Sequence, residues 1–67
     1  MNKLYTISDM IDDMFFHNYQ SVVFRAVTEY GTYPWTEIHK KETQELTQQE
    51  ILFFPPDKVV EVKAFAK

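Results

Sequence analysis

Three side chains that could bind a divalent cation recur at helical spacing near the start of the chain. Asp9, Asp13 and His17 stand at i, i+4 and i+8, so a helix could align them in one stripe. Carboxylates and imidazole are reasonable ligands for such ions, but a site needs further ligands and a supporting shell of hydrogen bonds. The helix dipole favours the same placement, with acids near the N-terminus and a histidine near the C-terminus. We therefore predict a solvated helix face, with no metal and no cofactor.

The residue patterns of the common catalytic sites are absent from the sequence. Its 67 residues contain no cysteine nucleophile, no G-x-S-x-G, no H-E-x-x-H and no glycine-rich phosphate loop. Gly31 is the only glycine, which leaves little scope for a backbone cradle around an oxyanion or a phosphate. A chain this short also has little depth for a pocket that excludes water. The sequence predicts a protein that is not an enzyme and has no catalytic residues.

The basic residues could serve a nucleic-acid interface together with aromatic side chains on which bases stack. They include Arg25, Lys40, Lys41, Lys58 and Lys63. Ten acidic residues outnumber seven basic ones, and the net charge of −3 has the wrong sign for a phosphate backbone. Nucleic acid is therefore a disfavoured partner. A basic face formed by these residues would reverse that expectation, whereas scattered lysines would favour a protein partner.

The stretch Tyr30-Gly31-Thr32-Tyr33-Pro34-Trp35 is the strongest candidate for a contact surface. Three aromatic side chains in six residues are difficult to bury together in a small core, and exposed tyrosine and tryptophan dominate binding hot spots. We predict that Tyr30, Tyr33 and Trp35 bind a partner. The structural alternative is that Trp35 and one tyrosine close the end of the core. The acidic and hydrophobic segment 9–16 offers a second surface, of a kind that enters grooves on partners or packs on its own sheet.

The first element that must position these residues is a helix over about 7–17. Thr6 is its predicted N-cap, with Asp9 completing a variant of the capping box, and Asn18 is a plausible terminator because asparagine tolerates the left-handed conformation. The apolar residues recur at i, i+3, i+4, i+7 and i+8, which defines one buried face: Ile7, Met10, Ile11, Met14 and Phe15.

A β-hairpin follows, around which the rest of the chain is organised. Residues 22–30 alternate with period 2, although a helix is the rival for so short an apolar run. One face would carry Val22, Phe24, Ala26, Thr28 and Tyr30. The other would carry Val23, Arg25, Val27 and Glu29. Gly31 is the natural turn residue because it accepts positive φ, and a second strand is predicted over about 33–41. The polar part, 38–43, fits either an edge strand or a solvated helix.

The C-terminal third predicts a second helix and a last strand. Thr47 and Glu50 form a capping box, and Leu46 and Ile51 a hydrophobic staple, so the helix should begin near Gln48 and end before Pro55-Pro56, with Phe53 and Phe54 buried. Residues 56–58 indicate a turn. The strand over 59–65 should place Val60, Val62 and Ala64 on one face. The other face should carry Val59, Glu61, Lys63 and Phe65.

These elements predict a single α+β domain spanning 1–67. The order α-β-β-α-β suggests a three-stranded, mostly antiparallel sheet with two short helices on one face, and a winged-helix-like arrangement is the alternative. No apolar run is long enough for a membrane helix, and the N-terminus lacks a signal-peptide core. The absence of cysteine is compatible with the cytoplasm, which is the expected location.

Taken together, the sequence predicts a small non-enzymatic protein-binding module. It would act as a regulator, inhibitor or adaptor that docks on a larger protein or on itself. The basis is the aromatic fraction of 16%, the acidic balance and the lack of catalytic motifs. Small, acidic, cysteine-free chains include many regulators encoded by phages and mobile elements, which is a likeness of type only. The alternative is a nucleic-acid-binding regulator of winged-helix type.

Overall fold

A computed structural model of the chain describes residues 4–45 and 55–67, and within those residues it shows two helices and four strands. In chain order they are α1 (Ile7–Phe16), β1 (Ser21–Thr28), β2 (Gly31–Thr32), β3 (Thr36–His39), α2 (Lys40–Glu45) and β4 (Val60–Ala66). This is the α+β class that the sequence predicts. The predicted capping box of Thr47 and Glu50 and the helix from Gln48 lie outside the described residues.

A capping box closes the N-terminus of α1, as the sequence predicts. The Thr6 side chain accepts a hydrogen bond from the Asp9 backbone N–H at 3.3 Å, and the Asp9 carboxylate accepts one from the Thr6 backbone N–H at 3.1 Å. Two N–H groups that have no partner within the helix are thereby satisfied. The first turn is also bonded to the segment that precedes β4, because Ile7 N–H donates to the Lys58 carbonyl at 3.0 Å.

The residue predicted to terminate α1 follows its C-cap, His17. Asn18 has φ of 56°, in the left-handed region that asparagine tolerates better than most residues. Tyr19 N–H donates to the Met14 carbonyl at 2.9 Å, and Asn18 N–H donates to the Phe15 carbonyl at 3.2 Å. These two bonds define a Schellman motif, which satisfies carbonyls at the helix end and turns the chain back towards β1.

β1 is the central strand of an antiparallel sheet. β4 pairs with it from Ser21 to Ala26, and β3 pairs with Ser21 to Phe24 along the opposite edge. β2 pairs with Val27 and Thr28 on the same edge as β3. The prediction of one continuous second strand over 33–41 is therefore wrong in detail: β2 and β3 share that edge, and α2 begins at Lys40. The polar segment 38–43, for which the sequence allowed an edge strand or a helix, belongs partly to β3 and partly to α2.

Each edge of the sheet contains a β-bulge. On one edge Val27 pairs with Thr32 and Phe24 with Thr36, so residues 33–35 lie opposite Arg25 and Ala26 alone. Proline has no N–H to give to a ladder, and Pro34 sits inside this bulge, as its chemistry requires. On the other edge the pairing shifts between Val23 and Phe24, which leaves Lys63 of β4 as the extra residue.

The bulge in β4 corrects the predicted faces of the last strand. Val60 and Val62 share one face as predicted, and that face packs on the core, but Ala64 is exposed and Phe65 packs against the core instead. An extra residue in one strand reverses the side-chain alternation beyond it, and strict period-2 counting cannot detect that insertion. The predicted turn before this strand is confirmed, since Lys58 N–H donates to the Pro55 carbonyl at 3.0 Å.

The core lies between α1 and one face of the sheet. The alternation predicted for β1 is confirmed, because Val22, Phe24 and Ala26 are all buried. One prediction for α1 is wrong: the Phe15 side chain is 39% exposed and lies at the rim, with the Lys40 ammonium 5.4 Å from its ring centre. The residues that form the core cluster are Ile7, Met10, Ile11, Met14, Val22, Phe24, Ile38 and Val60.

Candidate protein-binding site

The turn between β1 and β2 holds its backbone by hydrogen bonds from one side chain. The Thr28 hydroxyl donates to the Gly31 carbonyl at 2.9 Å and accepts from the Tyr30 N–H at 3.1 Å. Glu29 and Tyr30 form the turn itself, and Gly31 begins β2 directly after them. Its φ of +138° is a conformation that side-chain-bearing residues rarely adopt, so the positive φ predicted for this glycine is confirmed. Tyr30 occupies the turn, beyond the end of β1, and its side chain is 91% exposed.

The bulge at 33–35 presents the other two aromatic residues of the predicted surface. Tyr33 N–H donates to the Ala26 carbonyl at 3.0 Å, which anchors the bulge to the central strand. The Tyr33 side chain is 48% exposed and that of Trp35 is 41% exposed. Tyr30, Tyr33 and Trp35 thus all lie at the protein surface, and we call these three residues the hairpin end.

The Trp35 ring contacts two cations that come from different strands. The Arg25 guanidinium lies 4.3 Å from the ring centre, and the Lys63 ammonium lies 5.6 Å from it, both within the range of cation–π attraction. Arg25 points away from α1, because its neighbours Phe24 and Ala26 on β1 face the core. Trp35, Arg25 and Lys63 therefore form a cluster on the sheet face opposite α1.

Carboxylates balance part of the charge on this face. Arg25 pairs with Glu61 at 3.1 Å, directly across β1 and β4, and Glu37 lies 3.4 Å from His39. Among the side chains that the structure describes, those of residues 4–43 and 55–67, the Lys63 ammonium contacts the Trp35 ring but no carboxylate. The cluster consequently offers one cation that a partner's anion could neutralise.

The remaining basic residues do not join this cluster. Lys40 lies beside the C-terminus of α1, where its ammonium donates to the Asn18 side chain. Lys41 is exposed on α2, and Lys58 is the last residue of the turn at 55–58. These three lysines therefore lie on other parts of the surface, whereas Arg25 and Lys63 meet at Trp35.

The three candidate metal ligands have separate roles in the structure. Asp9 caps α1, and Asp13 accepts a hydrogen bond from the Tyr5 hydroxyl at 2.6 Å. Burial of Tyr5, reinforced by that bond to Asp13, raises the pKa of the phenol well above its usual range. His17 instead lies near aromatic rings, with centres 4.9 Å from Phe16 and 5.6 Å from Tyr19. In the described part of the chain no three potential ligands come together.

Two features of the surface escaped the sequence reasoning. The cluster around Trp35 depends on two bulges, of which only Pro34 within a strand pattern gave a local sign. Phe16 is 83% exposed on α1 and was considered only as part of the segment 9–16. A helical wheel centred on the buried residues would have found it, since Phe16 lies about 180° from that centre at 100° per residue.

The chain matches no known family model, and no characterised protein or solved structure is significantly similar to it. No helix in the described residues is both long and apolar enough to cross a membrane. Function is therefore inferred from the surface chemistry of the protein itself.

Proposed function

We propose that this protein is a non-enzymatic protein-binding module whose contact surface is the hairpin end. It would act as a regulator, inhibitor or adaptor by docking on a larger protein or on a second copy of itself. The observation that carries the proposal is the exposure of all three aromatic residues, Tyr30 at 91%, Tyr33 at 48% and Trp35 at 41%. Apolar area that stays exposed to water gains no stabilisation from burial, and a partner that covers these rings would supply that burial.

The backbone at the hairpin end supports a binding role because several hydrogen bonds hold it in place. Thr28 fixes the turn that carries Tyr30, and the bond from Tyr33 N–H to the Ala26 carbonyl fixes the bulge. The Trp35 ring packs against Arg25. Rigid tyrosine and tryptophan side chains offer large amphipathic areas and lose little conformational entropy on binding. A surface ordered in advance also avoids part of the entropic cost of association.

The polar groups around the hairpin end suit binding better than group transfer. Arg25 pairs with Glu61, and a guanidinium offers N–H donors but no acceptor for a proton. The Thr28 hydroxyl already donates to a backbone carbonyl. These groups can orient a partner through charge and hydrogen bonding, and they support a non-enzymatic role.

Nucleic-acid binding is the second candidate, favoured by the two cations beside Trp35. Stacking platforms with arginine or lysine nearby are typical of proteins that bind single strands. However, Glu61 and Glu37 lie on the same face as Arg25 and Lys63, so carboxylates offset part of the positive charge there and the face does not form a basic track. A phosphate backbone needs several adjacent cations. The protein-binding proposal is therefore preferred.

The test compares wild type with Tyr33→Ala and Trp35→Ala. Proteins are captured from the native cell, and the affinity of each purified captured protein is then measured by titration. We expect each substitution to weaken binding by about 2 kcal/mol or more, the loss typical of a hot-spot residue. Far-ultraviolet circular dichroism should be unchanged, and Trp35 fluorescence should become protected from acrylamide when the partner is added.

The matched control is Leu4→Ala, which removes an apolar side chain that is 66% exposed outside the hairpin end. It should leave the affinity unchanged. Equal binding by wild type and both aromatic variants would contradict the proposal. Retention on DNA or RNA that weakens steeply with added salt would favour the second candidate instead.

A further inference from the structure

The outward surface of α1 presents an acid beside an aromatic ring. Asp12 and Phe16 are both exposed, and they are separated by four residues, so they are neighbours on one face of the helix. That face is opposite the one that buries Met10 and Met14. Phe16, at 83% exposed, is the most exposed apolar side chain on the helix. We call Asp12 and Phe16 the helix face.

The cluster around Trp35 has the complementary chemistry. It presents a half-exposed indole with the Lys63 ammonium beside it, and Lys63 has no carboxylate partner among the described side chains. An acid and an aromatic ring on one surface thus correspond to a cation and an aromatic ring on the other. Ring pairs and desolvated ion pairs are both attractive in such contacts.

The two surfaces lie on opposite sides of the domain. α1 covers the sheet face that carries Val22 and Phe24, and its helix face points away from the sheet. Arg25, between buried neighbours on β1, points to the other side, where Trp35 and Lys63 join it. One molecule cannot bring its own two surfaces together, but two copies can do so when one stacks on the other.

We propose that the partner of the hairpin end is the helix face of a second copy of this chain. The Asp12 carboxylate of one copy pairs with Lys63 of the next, and the Phe16 ring packs on Trp35. This inference rests on the proposed function and names the partner of the same site. The contact joins two different surfaces, so a pair of copies still has one unused helix face and one unused Trp35 cluster. Such contacts build rings or chains rather than closed two-fold dimers.

Sedimentation velocity of the full chain tests the contact over concentrations from about 10 μM to about 1 mM, a range suited to weak association. We expect the average mass to rise with concentration. Asp12→Lys and Lys63→Glu should each weaken association about tenfold or more, because each places like charges across the contact. Trp35→Ala and Phe16→Ala should weaken it to a similar extent.

Charge reversal also allows restoration, which a general effect on folding cannot produce. The double variant Asp12→Lys/Lys63→Glu should associate about as well as wild type, since opposite charges again face each other. An equimolar mixture of the two single variants should also associate more strongly than either variant alone. Controls for net charge are Glu42→Lys and Lys41→Glu, which make the same charge changes at exposed sites on α2 and should have little effect.

The outcomes separate this inference from the proposed function. The second-copy contact is overturned if the chain is monomeric throughout the concentration range. It is also overturned if neither charge reversal changes the association. If Trp35→Ala then still weakens binding to a captured protein, the proposed function stands. If no binding depends on Tyr33 or Trp35, the proposed function fails as well.

Discussion

The hairpin end and the opposite end of β1 both carry aromatic side chains, but these side chains differ in how far they are buried. Each chain reversal contains a residue at positive φ, Gly31 beyond the end of β1 and Asn18 before its start. At the Asn18 end, the Schellman motif brings Tyr19 back so that its ring stacks on Phe65, with centres 4.7 Å apart. At the Gly31 end, Tyr30 extends into solvent.

The difference shows that position relative to α1, more than residue type, decides whether an aromatic side chain is buried. The core cluster centres on the first half of β1, through Val22 and Phe24, and Ala26 is the last buried residue of the strand. Tyr19 lies next to that cluster and packs on it. Tyr30 lies in the turn beyond the strand, and Trp35 lies over Arg25 on the sheet face opposite α1, so the helix covers neither ring. Both rings are consequently accessible from solvent.

The largest predicted contrast between the two ends comes from truncating one side chain at each. Met14→Ala should destabilise the protein by about 2–5 kcal/mol, because it leaves a cavity where a fully buried side chain packed. Trp35→Ala should cost about 1 kcal/mol or less, since the exposed ring loses mainly its cation–π contacts. Urea denaturation followed by circular dichroism measures both. Phe16→Ala is the control on the same helix, and a loss at Trp35 equal to that at Met14 would make the hairpin end part of the core.

A smaller effect is expected from straining the Gly31 turn. Gly31→Val should destabilise by about 1–3 kcal/mol, because a side chain disfavours its positive φ. No atom lies within 4 Å of a Cβ built at this position, so Gly31→Ala should cost a similar amount through the backbone alone. The midpoint of urea denaturation reports the change. Glu29→Ala, in the same turn but without positive φ, should have little effect, and an unchanged midpoint for Gly31→Val would remove the strain explanation.

The smallest effect concerns Asn18 in the Schellman motif. Asn18→Ala and Asn18→Gly both remove the side chain, but alanine disfavours the left-handed region by about 1 kcal/mol more than glycine does. The alanine variant should therefore be the less stable of the two by about that amount. Amide exchange at Tyr19 should quicken in it, because this N–H bonds the Met14 carbonyl only when the motif is formed. Equal stability of the two variants would show that φ at Asn18 does not matter.

The elements that the sequence predicted well are those with local physical causes. The ends of α1 follow from hydrogen-bonding side chains within a few residues, Thr6 with Asp9, and from the tolerance of Asn18 for positive φ. The burial of alternate residues on β1 follows from period 2, which holds because β1 has no extra residue of its own. The turn at Gly31 follows from the one residue type suited to it.

The candidate site was predicted in part. The exposure of Tyr30, Tyr33 and Trp35 agrees with the expectation that a small core cannot hold every aromatic ring. Their role in binding remains a proposal. The contact of Trp35 with Arg25 and Lys63 could not be foreseen, because it requires the registers of both edge strands, and register depends on pairing between segments far apart in sequence.

By itself, the sequence determined the helix with its caps, the central strand and the glycine turn, because short-range hydrogen bonds and steric limits decide each of them. Only the tertiary structure decided where strand pairing gains a residue. The extra residue in β4 turned Phe65 into the core and Ala64 out of it, and the bulge at 33–35 gave Trp35 its place over Arg25. The packing of α1 on the sheet also left the Phe15 side chain at the rim of the core. These outcomes depend on how the strands and helix pack together, which no local pattern encodes.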